Sequence, residues 1–277
     1  MLDAVLLFRE ALYGTLVIAL TCGLLGVYVV LRRIVFVGAA LAELSSMGVA
    51  LGLWLTGLGW AAGIGTHPLL LSVVATTAGV LFFALGGTRA RIPPDAVIGV
   101  VYAAAGALGI LLIAKAVAGE AHDVFLSGNV LGITTADTLT LLAVCLPVLL
   151  LHGLFYKEFL FVSFDPETAL TQGYRVPAWN LLLYFTIGIV IAFAMQLAGV
   201  MLVFNFLVLP AVTGLLLSHG MRGAFAWAVA SAVAASTVGF MLSVTFDLPT
   251  SPAIIAASAA LTLLAWLGQR LRPAPQR

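Results

Sequence analysis

Apolar runs of about twenty residues recur along the whole 277-residue chain, and its charged residues fall between them. An α-helix of that length crosses roughly 30 Å of hydrocarbon. Inside lipid a segment must satisfy its own backbone N–H and C=O groups, so repeated runs of this length predict a bundle of spanning helices. Composition agrees, with 63% hydrophobic and only 8% charged residues. The fold class is an all-α integral membrane protein. Its function must rest on the polar residues inside or between the spans.

Nine apolar segments are expected, at about 11–31, 34–57, 67–87, 96–117, 138–156, 178–197, 199–218, 223–244 and 252–269. Eight is the alternative count, because only a residue or two separates the sixth from the seventh. Arg32 and Arg33 close the first segment with two charges, and Pro93-Pro94 bars helix continuation before the fourth. Alternating nine spans puts Arg32, Arg33, Arg89, Arg91, Lys157, Arg175, Arg222, Arg270, Arg272 and Arg277 on one side. Arg9 and Lys115 remain on the other. This positive-inside bias predicts a multi-pass membrane protein with the N-terminus outside and the C-terminus in the cytoplasm.

Several function classes are set aside. A formal net charge of +1 offers no basic face for nucleic acid. Cys22 and Cys145 lie in apolar spans far from any CxxC spacing and read as structural. The N-terminus, MLDAVLLFRE, does not read as a cleaved signal peptide. With neither linker nor internal repeat, residues 1–277 read as one membrane domain. No GxxxxGK[ST] loop is present, and nothing suggests a serine triad or an HExxH zinc site. The chain is therefore expected to be no enzyme and to bind no cofactor. If ATP drives it, a separate subunit must hold the ATP and Mg²⁺.

The stretch SFDPETALTQGYR at 163–175 predicts a short helix outside the membrane. Asp165 can cap it, Pro166 suits its first position, Glu167 sits at the positive end of the dipole and Gly173 supplies a stop. About seven residues are too few for a stable isolated helix, so it needs a surface to rest on. That surface is either its own bundle or a cytoplasmic partner met through Asp165, Pro166, Glu167, Ala169, Leu170 and Gly173.

Glu43 is an acidic residue alone and deep in a span. It lies ten residues beyond Arg33, so about 15 Å along the helix. An ionisable group at that depth costs several kcal/mol unless paired, protonated or wet, which makes it a functional candidate. Ala39, Glu43 and Met47 share a face at i, i+4 and i+8, with Ser46 adjacent. Carboxylate and thioether could meet a divalent ion while Ser45 or Ser46 hydrogen-bonds the carboxylate. Asn205, five residues before Pro210, is expected chiefly to repair local backbone bonding, with a place in the cargo path as the alternative. Gln196, His67, His152 and His219 are expected at span ends. Glu120, His122 and Asp123 form an external cluster of metal-ligand types that reads first as a solvated turn, with a contact surface for a binding protein ahead of metal capture as the alternatives.

Several segments together resemble the membrane permeases of bacterial ABC importers for zinc, manganese and iron. They are GLLGVYVVLRRIVFVGAALAELSSMGVALG at 23–52, IPPDAVIGVVYAAAGALGILL at 92–112, FLSGNVLGIT at 125–134, SFDPETALTQGYRV at 163–176, AGVMLVFNFLVLPAVTG at 198–214 and FDLPTSPAIIAASAAL at 246–261. The resemblance implies a homodimeric permease in the bacterial cytoplasmic (inner) membrane, with cytoplasmic ABC ATPase subunits and an extracytoplasmic solute-binding protein. It also implies that 163–176 is the coupling helix, and that the cargo is a divalent metal, zinc or manganese first. Where the family usually has Asp and His, this chain has Ala39 and Glu43, and Asn129 stands where an Asp often follows. That departure leaves a metal chelate or another small solute as the rival cargo. A membrane enzyme and an ATP-independent carrier are more distant alternatives.

Overall fold

The computed structural model describes residues 8–58, 67–86, 94–116 and 130–271. These form helices α1 (Arg9–Leu31), α2 (Val35–Gly57), α3 (Pro68–Gly86), α4 (Pro94–Lys115), α5 (Thr135–Leu154), α6 (Tyr156–Phe164), α7 (Pro166–Thr171), α8 (Val176–Ala198), α9 (Val200–Leu217), α10 (Met221–Phe246) and α11 (Thr250–Leu271). A 3₁₀ turn at Val130–Gly132 precedes α5. No strand occurs among the described residues. The expected segments correspond to α1–α5 and α8–α11. The helix α6 was not foreseen, because its aromatic sequence, YKEFLFVSF, reads as a trailing edge of the fifth span.

Eight stretches among the described residues are long and apolar enough to cross a membrane, and one of them, Val176–Leu217, runs for 42 residues. It is not a single rod. At Gly199 the backbone takes φ +80°, a conformation glycine adopts at no steric cost, and the chain reverses. The start of α8 lies at the Arg32 end of the bundle, where Arg32 bonds Asn180. The end of α9 lies there too. Gly214 packs on Ala224 at the start of α10, and Phe225 packs on Tyr28 one turn before Arg32. Arg33, Lys157, Arg175 and Arg222 gather at this basic end. Both counts therefore have a basis, since one apolar stretch contains two antiparallel helices.

The core is built around α1 and α9. Ile18, Leu25 and Tyr28 of α1 and Leu202, Phe206 and Leu207 of α9 are fully buried or nearly so. Burial is 67% in α1, α2 and Val176–Leu217 but 22% in α3 and α4, which places the latter pair at the periphery. Their exposed residues, such as Leu85, Val100 and Leu111, are apolar, as a lipid or partner surface requires.

Small residues set the helix spacing. The GVALG element packs α2 on α3, where a Cβ at Gly48 would strike the backbone of Leu71 and Ser72 and one at Gly52 would press on Pro68. Beside this contact the Ser45 and Ser72 hydroxyls share a buried hydrogen bond of 2.7 Å. Ser45 is thereby committed to α3 and not to the Glu43 carboxylate. The start of α5 is fixed by a capping box between Thr134 and Asp137.

Gly48→Val should force α2 from α3 and destabilise the fold by ~1–3 kcal/mol, the usual cost of overpacking. Gly268→Ala, which meets open space, should be neutral or slightly stabilising. Thermal unfolding of the two variants in detergent checks both.

Candidate functional site

Glu43 lies in the first half of α2, half-buried, beside a cavity of about 470 Å³. Ala39 and Glu43 border it from α2, Ile98 and Tyr102 from α4, and Met201 and Phe204 from α9. The side chain reaches α4, where a Cβ on Gly106 would sit 3.3 Å from the Glu43 Oε2. That glycine lets the carboxylate lie against the neighbouring backbone. Among the described residues the one ion pair joins Arg9 and Glu10, so the Glu43 charge has no cationic partner there. The first turn of α9 borders the same cavity, which puts the reversal at Gly199 close to the depth of Glu43. Irregular backbone at membrane depth is tolerated where it lines a cavity.

The expected cargo-path residues separate. Glu43 faces the cavity, together with Ala39. Met47 does not line it, and instead backs onto Gly109 of α4. Ser46 is buried away from it. Asn205 is buried, and neither atom of its amide has a hydrogen-bond partner. It therefore does not repair the backbone at Pro210. Separately, the Ser231 hydroxyl of α10 donates to the Pro210 carbonyl at 3.4 Å. Tyr102 and Met201 are the donor-bearing cavity residues that sequence reasoning missed. One signal for Tyr102 was available, since it carries the only hydroxyl in α4. No group of three or more His, Cys, Asp or Glu residues is assembled among the described residues. Glu120, His122, Asp123 and Asn129 lie outside the described residues.

His152 is not at an interface as its place near a span end suggested. It is 1% exposed, stacked on Phe159 at 4.3 Å, with Tyr28 edge-on. Its Nδ1–H donates to the Val148 carbonyl. Gln196 likewise has its Nε2 buried without a partner.

At the basic end α7 has its expected caps. The Asp165 carboxylate accepts the Thr168 N–H at 3.0 Å, Pro166 begins the helix, and Gly173 has φ +89°. The Tyr174 N–H returns to the Ala169 carbonyl, closing the C-terminus. Burial divides the helix sharply. Ala169 is fully buried against its own chain, whereas Leu170 is 62% exposed. Asp165, Pro166, Glu167 and Gly173 are exposed as well. Ala169 seats the helix and is unavailable to a partner, so the outward surface is carried by the other five.

Hydrogen bonds from the Thr168 hydroxyl and backbone N–H hold the Asp165 carboxyl below its ordinary value of 3.8. A folded pKa below the unfolded one means that the cap's contribution is complete above that ordinary value. It is lost as pH falls through the depressed folded value. Protection of the Thr168 amide from hydrogen exchange should therefore be pH-independent near neutrality and should fall only on strong acidification. Asp165→Ala should remove it at neutral pH.

Comparison with known proteins agrees with this architecture. The family model described as the ABC 3 transport family matches residues 5–269. The manganese transport system membrane protein MntC of Listeria monocytogenes is 29% identical over 259 residues, covering 94% of this chain and 89% of that protein. The manganese import system permease protein ScaB of Streptococcus gordonii is 30% identical over 260 residues, covering 93% and 90%. Among solved structures, PsaBC from Streptococcus pneumoniae in complex with Fab superposes with a TM-score of 0.84 at 24% identity, covering 98% of this chain and 96% of that one. A match over nearly the whole length, on a bundle of the same fold, makes this chain a multi-pass membrane protein of the ABC 3 transport family.

Proposed function

We propose that the chain is the permease subunit of an importer that moves divalent transition metal ions, manganese foremost, using ATP hydrolysed on a separate subunit. The observation that carries this reading is the Glu43 carboxylate, placed deep in the bundle beside a cavity with room for a hydrated ion. A carboxylate, the Tyr102 hydroxyl and the Met201 thioether offer hard and soft donors to a borderline cation. One carboxylate is a sparse set, and sparse coordination suits transit, because an ion must leave as readily as it enters. The manganese transport of the relatives supports the choice of metal.

The basic end faces the cytoplasm, by the positive-inside rule. There α7 presents Leu170 and its exposed caps to the ATPase. A solute-binding protein delivers cargo at the opposite end. The permease works as a homodimer. Phe36 and Met201, 64% and 59% exposed at the cavity, are covered by a second protomer, which also keeps the Glu43 carboxylate from facing hydrocarbon, where it would be costly. A small metal chelate is the second reading, favoured by a cavity larger than a bare ion needs.

Glu43→Gln keeps size and hydrogen bonding while removing charge. It should lower uptake of manganese by about 10–100-fold, the range that follows loss of a group supporting a metal site, with expression and basal ATP hydrolysis unchanged. Radiometal uptake into proteoliposomes holding the complete complex, with manganese, zinc and iron in competition, checks this. Wild-type uptake of all three would reduce Glu43 to a packing residue.

Leu170→Asp alters only the outward face of α7. It should weaken association of the ATPase and lower uptake in step, with the unfolding temperature of the isolated permease unchanged. Normal association and uptake in this variant would remove α7 from the docking surface.

A further inference from the structure

Arg32 is the C-cap of α1 and opens the three-residue connection (32–34) to α2, and its guanidinium reaches across the bundle. Its Nε donates to the Ser163 hydroxyl at 2.8 Å and its Nη1 to the Asn180 side-chain carbonyl at 2.6 Å. Ser163 lies near the end of α6, two residues before the Asp165 cap of α7, and Asn180 lies near the start of α8. One side chain therefore holds both the segment that enters α7 and the segment that leaves it. Among the described residues no carboxylate pairs with this charge. Its third nitrogen, Nη2, is buried without a hydrogen-bond partner, and so is the hydroxyl of Tyr28 one turn earlier on α1.

The other side of Arg32 is stiff. Arg33 adopts φ +58°, an uncommon conformation for a residue with a side chain. The N–H of Ile34 bonds back to the Val29 carbonyl at 3.0 Å, locking the turn before α2 begins at Val35. Glu43 stands two turns further along the same helix. A displacement of α7 has a short path of hydrogen bonds and covalent chain to the cavity: Ser163 and Asn180 to Arg32, through the locked turn, and along α2.

We propose that Arg32 is a positioning residue that couples movement of α7 to movement of α2, and so makes ATP hydrolysis productive. This rests on the reading of α7 as the ATPase contact. A planar fork suits the role, because it holds two acceptors in fixed directions while the spare Nη2 donor allows partners to exchange as α7 shifts. Simple stitching of the bundle would predict a loss of stability instead. Coupling predicts a change in the ratio of transport to hydrolysis.

The test uses the complete complex in proteoliposomes with radioactive manganese as the probe. Two sets of variants are compared, Arg32→Gln and the pair Ser163→Ala with Asn180→Ala, which cuts both ties and leaves Arg32 in place. ATPase association and hydrolysis should stay close to wild type in both, while uptake per ATP falls about tenfold, within the usual range of coupling between sites. Arg32→Lys keeps the charge but loses the fork and should be intermediate. Spin labels at Gln172, just beyond α7, and Leu58, just beyond α2, supply a readout independent of cargo. Nucleotide binding should move both labels in the wild type, and only the Gln172 label in the variants. An unchanged ratio of uptake to hydrolysis, or a Leu58 label that still responds, overturns the proposal. So does a parallel loss of association and uptake, which would make Arg32 a support for docking alone. A wild-type complex that hydrolyses ATP without moving any metal would instead overturn the importer reading itself.

Discussion

Hydrocarbon offers no hydrogen bonds, and every feature of this fold answers to that constraint. Long apolar helices satisfy their own backbone, and the chain departs from regular helix only where something else supplies a partner or a cavity. The reversal at Gly199 is such a place. The Gly199 N–H closes onto Met195, and the preceding Ala198 carbonyl receives the Ser251 hydroxyl at 3.3 Å. With polar groups so restricted, the few that lack a partner stand out. Glu43 beside a cavity, the Asn205 amide and the third arm of Arg32 are the principal ones.

The candidate cargo site and the proposed ATPase contact lie at different depths of one bundle. The carboxylate sits inside, against a glycine of α4, and the outward face of α7 sits at the basic end. Close helix packing joins them. Where Gly48 meets Leu71 and Gly26 meets Leu207, backbones touch without intervening side chains. Such contacts leave little room for one helix to yield while its neighbour stays still, so motion passes as shifts of whole helices.

Much of the fold was legible in the sequence because a bilayer writes a strong one-dimensional signal. Run length marked the spans, paired arginines and prolines marked their ends, and Asp165, Pro166 and Gly173 marked a helix of six residues. The depth and isolation of Glu43 were legible for the same reason, since a charge in an apolar run needs no contact map to be conspicuous.

What only the tertiary structure decided is which faces look where. In lipid both the buried and the exposed side of a helix are apolar, so periodicity cannot distinguish them. Ala169 and Leu170 are neighbours of similar character, yet one is sealed against the bundle and the other faces outward. Met47 shares a helical face with Glu43 but backs onto Gly109 of α4 and does not border the cavity. Tyr102 and Met201 join the site from helices remote in sequence. Arg32 looked like a topological marker, and its bonds to residues 131 and 148 positions away arise only when the helices assemble. The sequence by itself determined the segments, their ends and the depth of the carboxylate, because these depend on local polarity. The cavity and the link to α7 depend on contacts between distant helices, which local polarity does not encode.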